Sequence, residues 1–152
     1  MKTLANPKDR DEIVARLAVI GPTSRRRWGR MTVSEMICHL SDALRVGMGE
    51  RKASPVSNWA KRSLMKWAAL WLPAKWPHDV ETVPECAANV GGTPPSKIEL
   101  DLIELRELLD RFATRPRVYD LQEHPIFGQM TEKEWLRCGY LHMDHHLRQF
   151  GA

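Results

Sequence analysis

Two short stretches constrain the fold of this chain most: Thr32-Val33-Ser34-Glu35 and Thr131-Glu132-Lys133-Glu134. Each sets a threonine three residues ahead of a glutamate at the head of an apolar-periodic run. The hydroxyl can accept from a free backbone N–H of the first turn while the carboxylate returns to the threonine's own N–H, the reciprocal pattern of a capping box. Two such starts commit two distant regions of the chain to helix.

The remaining periodicity agrees with them. Ile13, Leu17 and Ile20 lie on one face of a helix expected from about Lys8 to Ile20, with Gly21-Pro22 stopping it. The helix opened at Thr32 carries Met36, His39 or Leu40, Ala43 and Gly47 along one stripe. A shorter helix is expected from Ser57 to Leu72. A further one, from Lys97 to Thr114, carries Ile98, Leu102, Leu105, Leu109 and Phe112 on its apolar side. The last ends at Phe150-Gly151. No alternating strand pattern competes, so the fold is expected to be all-α, one domain over residues 1–152.

Pro55, Pro73, Pro77, Pro84, Pro94 and Pro95 are six of the ten prolines. At that density the backbone lacks the donors that helix or sheet requires, so the chain from Pro73 to Ser96 is expected to cross the surface as a long connection.

Charge and cysteine content narrow the function classes. The net charge is +4, with much of the excess in SRRRWGR (24–30). One short run of Arg25, Arg26, Arg27 and Arg30 beside no recognised binding motif argues against a nucleic-acid partner, since phosphate-tracking proteins spread cations over a whole face. The ordinary reading is a solvated loop whose arginines pair with carboxylates. Cys38, Cys86 and Cys138 are odd in number, widely spaced and form no CxxC, the usage of a reducing cytoplasm. The N-terminus lacks the apolar core of a secretory signal, and LMKWAALWLPAKW (64–76) is too short and too interrupted, by Lys66 and Pro73, to span a bilayer. No membrane partner is expected.

The chemistry concentrates in YLHMDHHLRQF. Trp135, Cys138, His142, His145 or His146, and Gln149 follow steps of three and four, so the histidines extend a face that a tryptophan begins. His142 and His146 stand one turn apart, about 5–6 Å between β-carbons, close enough to share one ion; His145 could replace His146 at this level of reading. Neutral imidazole suits zinc, nickel and iron. A third donor must come from another helix, and His39 sits mid-helix among Met36, Ile37, Leu40 and Ala43. The competing reading is a set of core-edge histidines bonded to carboxylates such as Asp42 and Asp144, binding nothing.

Taken together, MTVSEMICHLSDALRVGMG and HPIFGQMTEKEWLRCGYLHMDHHLRQFG resemble the DinB/YfiT-like superfamily, in a branch of unassigned function. The resemblance implies a four-helix bundle with a long crossover and a short extra helix, holding a divalent metal on three histidines. Carried over residue by residue, it makes His39 of His39-Leu40 the first ligand, and His142 and His146 the other two. Where relatives continue with Arg-Gly-Gln, this chain has Leu147-Arg148-Gln149, keeping the glutamine and lacking the glycine. The activities implied are metal-dependent hydrolysis and transfer of low-molecular-weight thiols, on a small-molecule substrate. Asp42, Asp144, His145 and Gln149 are candidates for orienting the ligands, and His124 of His124-Pro125-Ile126-Phe127-Gly128 is expected to pack at the start of the last helix. Trp59, Trp67, Trp71 and Trp76 read first as core. Any exposed fraction would mark a homodimer surface, in an enzyme or in a non-catalytic module, or a lid over the site.

Overall fold

The structure is a computed structural model that describes residues 1–56, 59–78 and 80–152, with the backbone alone for 59–62. It is all-α: five helices, α1 (Pro7–Leu17), α2 (Val33–Met48), α3 (Trp59–Trp71), α4 (Ile98–Ala113) and α5 (Glu132–Gln149), with no strand among the described residues. A single 3-10 turn, Pro84–Cys86, interrupts the long connection between α3 and α4.

Both capping boxes form. Thr32 Oγ1 accepts from the Glu35 N–H at 3.2 Å while the Thr32 N–H donates to the Glu35 carboxylate at 2.7 Å. Thr131 and Glu134 repeat the arrangement at 3.3 and 2.7 Å. The helices that carry the candidate histidines are therefore fixed at their origins, by about 1 kcal/mol for each threonine.

Four helices share one core. Ile13 and Leu17 of α1, Met36, Ile37, Leu40 and Leu44 of α2, Leu105, Leu109 and Phe112 of α4, and Leu136, Met143 and Leu147 of α5 form a single buried cluster. Close approach depends on two glycines. A β-carbon at Gly47 would stand 2.9 Å from the Phe112 ring and 3.1 Å from Trp135, and one at Gly139 would meet Leu4 at 2.7 Å. α3 stays outside that core. Its Leu70 packs in a separate cluster with Phe127 and Cys138.

Three expectations change. α1 stops at Leu17 rather than Ile20, because the N–H groups of Val19 and Ile20 bond carbonyls three residues back, winding the end into a tighter turn that buries Ile20. The connection is not confined to the surface: Val83 and Cys86 are buried against Val46 of α2. Arg26 donates to the carbonyl of Met31, just ahead of α2, and Arg27 to that of Gly151, rather than to carboxylates; the second places one cation beside the C-terminal end of α5. The expected start of α3 at Ser57 and the Trp59 side chain lie outside the described residues.

Candidate metal centre

α2 and α5 pack side by side, and each turns histidines toward the same point. One ring nitrogen from each of His39, His142 and His146 lies within 4.8 Å of the other two. His39 and His146 are buried and His142 is half-buried. The spacing of three and four along α5 places His142 and His146 on one face; His39 meets them because Gly47 lets α2 sit close to Trp135 at the head of α5.

The outer nitrogens of two rings are held. His39 Nδ1 lies 3.1 Å from the Cys86 carbonyl, an acceptor only, so it carries the proton and leaves the Nε2 lone pair free. His146 Nδ1 is 2.8 Å from Gln149 Oε1. The Gln149 amide donates its N–H to the Trp28 carbonyl at 2.9 Å, which turns its oxygen toward the histidine. That fixes the His146 tautomer as well, with Nε2 as the free donor atom. His39 Nε2 and His142 Nε2 face each other at 2.9 Å, and two imine nitrogens at that separation need a shared proton or a cation between them.

Electrostatics keep the rings neutral. Burial holds His39 below its usual range. Burial, then the neighbouring imidazoles of His146 and His39, holds His142 well below it. His146 is held well below by burial and by His39. Neutral rings are the form that binds metal, and two nitrogens each about 2.0–2.1 Å from one ion stand roughly 3 Å apart. The donor set therefore fits a divalent ion, with orienting partners of the kind that tune ligating histidines.

The other sequence-selected residues divide. Gln149 orients His146. His145 turns its ring toward Trp28, 5.9 Å between centroids, and Trp76, 6.2 Å; burial, then Arg148, lowers its pKa to about 4. Asp144 faces α1, paired to Arg16 at 2.8 Å and Arg148 at 2.9 Å, away from the three rings. Asp42 is fully buried but committed elsewhere: it accepts from the Thr93 N–H and hydroxyl and pairs with Arg45 and Arg51. His124 Nδ1 accepts the N–H groups of Ile126 and Phe127 at 3.1 and 3.2 Å, bracing the loop before α5, and its ring lies 5.1 Å from that of Trp135.

Sequence reasoning missed three contributors: the Cys86 carbonyl, the Trp28 carbonyl, and His78, whose ring stacks on Trp28 at 4.1 Å. The one available signal was the tryptophan embedded in SRRRWGR, a large apolar residue that a purely solvated basic loop has no reason to carry.

The three histidines open onto a cavity of about 1120 Å³. Its walls are mainly apolar, with Met31, Leu72, Trp76, Val80 and Phe127 among them. That volume exceeds what a drug-sized ligand occupies.

Fold and site together define an all-α protein with a buried three-histidine cluster, at the floor of an apolar cavity, that could hold a metal ion. Residues 6–152 match the family described as "Protein of unknown function (DUF1569)", and the chain belongs to that family. No curated protein and no solved structure matches it.

Proposed function

We propose that the chain is a cytosolic metal-dependent enzyme of the DinB/YfiT-like kind, a one-domain helical bundle in which His39, His142 and His146 hold one zinc, nickel or iron ion. On this reading it acts by hydrolysis or by transfer of a low-molecular-weight thiol on a small-molecule substrate. The observation that carries the reading is the pair of fixed tautomers: Cys86 and Gln149 each hold an outer Nδ1–H, which leaves Nε2 of both rings as the donor atom, and His39 Nε2 stands 2.9 Å from His142 Nε2. Neutral imidazoles with one nitrogen kept as a donor atom are the form that takes a metal.

A divalent ion bound there supplies Lewis acidity toward a water or a thiol. The protein supplies the rest. Three ligands leave coordination positions for a reactant, the arrangement of catalytic rather than structural sites. His142 is half-buried and lines the cavity, whose mainly apolar walls would hold a substrate body while limiting bulk water. Three unpaired, buried cysteines suit a reducing compartment.

Elemental analysis of protein purified without an affinity tag tests the proposal. About one divalent ion per chain is expected, lost in both His39→Ala and His142→Ala. If both variants retain metal as the wild type does, the reading fails. One observation favours a second reading, a non-catalytic module that dimerises through residues 59–76: Leu64 and Trp67 of α3 are exposed. It predicts a dimer and no metal-dependent turnover on hydrolase or thiol-transfer panels.

A further inference from the structure

Among its described residues, α3 packs through only one edge of its apolar side. Leu64, Trp67, Ala68 and Trp71 follow the i, i+3, i+4, i+7 spacing that normally turns toward a core. Yet the residue that buries itself is Leu70, at the flank of that stripe about 60° from Trp67 at 3.6 residues per turn, with no exposure at all, and of the stripe itself Trp71 packs beside it. Leu64 is 71% exposed, Trp67 55%, and Leu72, just beyond the helix, 41%. The Leu64–Trp67 part of the stripe and Leu72 stay uncovered, and an exposed apolar patch of this kind marks a surface that meets something.

The charge around the stripe says what. From Lys52 to His78 the chain has Lys52, Lys61, Arg62, Lys66 and Lys75, and no acidic residue. α5, the neighbour of α3, adds two more cations: the Lys133 ammonium lies 5.6 Å and the Arg137 guanidinium 5.9 Å from the centre of the Trp71 ring. Among the described residues, the one carboxylate paired with α3, Glu134, is neutralised by Lys66 at 3.1 Å. A second copy of the chain meeting this face about a two-fold axis would set these cations against their own images. An acidic, apolar-cored surface suits them.

We propose that the outer face of α3 docks on an anionic lipid surface, with Leu64, Trp67 and Leu72 seated at the boundary between headgroups and acyl chains and the surrounding lysines and arginines among the phosphates. Aromatic and aliphatic side chains framed by cations are the composition of helices that lie in the membrane interface. The sequence expectation of no membrane partner rested on the lack of a secretory signal and of an uninterrupted spanning segment, and no helix among the described residues is long and apolar enough to cross a bilayer; lying on one is a different requirement. Met65 and Leu72 also border the cavity above the histidines, so its mouth adjoins the docked face.

The test is cosedimentation with vesicles of phosphatidylcholine alone and of phosphatidylcholine mixed with an equal part of phosphatidylglycerol. Binding is expected to the mixed vesicles only, to fall as salt rises, and to weaken about tenfold or more in Trp67→Glu and Leu64→Glu. Both side chains are exposed, so the variants are expected to keep the wild-type circular dichroism and melting temperature. No sedimentation with anionic vesicles at low salt overturns the proposal. So does sedimentation velocity showing a dimer that Trp67→Glu dissociates. Zinc titration of the same variants keeps the two readings apart: wild-type metal affinity with lost vesicle binding leaves the metal centre standing, and the converse loss in His39→Ala leaves the docking face standing.

Discussion

Gln149→Met isolates the part played by the residues behind the histidines. The substitution keeps length and volume while removing both polar groups of a side chain that is almost wholly buried. Two hydrogen bonds go: His146 Nδ1–H to Oε1 at 2.8 Å, and the Gln149 N–H to the Trp28 carbonyl at 2.9 Å. Each leaves a polar group short of a partner, at about 1–3 kcal/mol apiece, so the apo protein should lose about 2–6 kcal/mol of stability. The effect on metal is separate. With Nδ1 no longer held as the donor, His146 divides between tautomers and orientations, and loss of such a partner typically weakens binding about 10–100-fold. That corresponds to about 1.4–2.8 kcal/mol. Competition for zinc against a fluorescent chelator measures the affinity, and urea unfolding of the apo form measures the stability. Gln149→Glu, which keeps an acceptor opposite Nδ1, should recover most of the affinity. A folded Gln149→Met protein that binds zinc as tightly as the wild type would refute the assigned tautomer and the orienting role with it.

Asp42→Ala leaves Arg45 and Arg51 facing a void and frees the Thr93 N–H, so unfolding free energy should fall by about 3–5 kcal/mol, measured in urea. Gly47→Ala drives a methyl against Phe112 and Trp135, and a melting temperature several degrees lower is expected for a loss of about 1–3 kcal/mol. For His124, burial lowers the pKa from 6.5 to about 4. The unfolded chain takes up this proton near pH 6.5 and the folded chain only near 4, so stability is full above that window and declines as pH falls through it. The difference amounts to about 3 kcal/mol. His124→Gln should flatten the apo protein's stability between those limits, read from urea unfolding across the pH range; an unchanged slope would dismiss the assignment.

What the sequence displayed and what it concealed follow from how each feature is encoded. Capping chemistry and apolar spacing are local, so α4 and α5 could be read within a residue or two of their ends and α2 at its start, and His39 and the α5 histidines could be placed on inward faces. Convergence of His39 on the other two is a tertiary fact that spacing could not supply. The Cys86 and Trp28 carbonyls were hidden more deeply, because every residue has a carbonyl and nothing in its side chain says where it points. Asp42 was expected near the histidines because it is one turn from His39, yet its carboxylate goes to Thr93, Arg45 and Arg51, groups far along the chain or on its other side. α3 misled for another reason: the periodic pattern identifies an apolar stripe, but it does not say that the stripe faces inward.

The three rings and the two groups that orient them, one peptide carbonyl and one carboxamide, are all uncharged. A doubly charged guest among them keeps its full charge, with no carboxylate in the ligand set to offset it. On the proposed function, a reactant completing the coordination of such an ion would be favoured if it came as an anion, and selectivity would begin with the absence of a counterion among the three histidines.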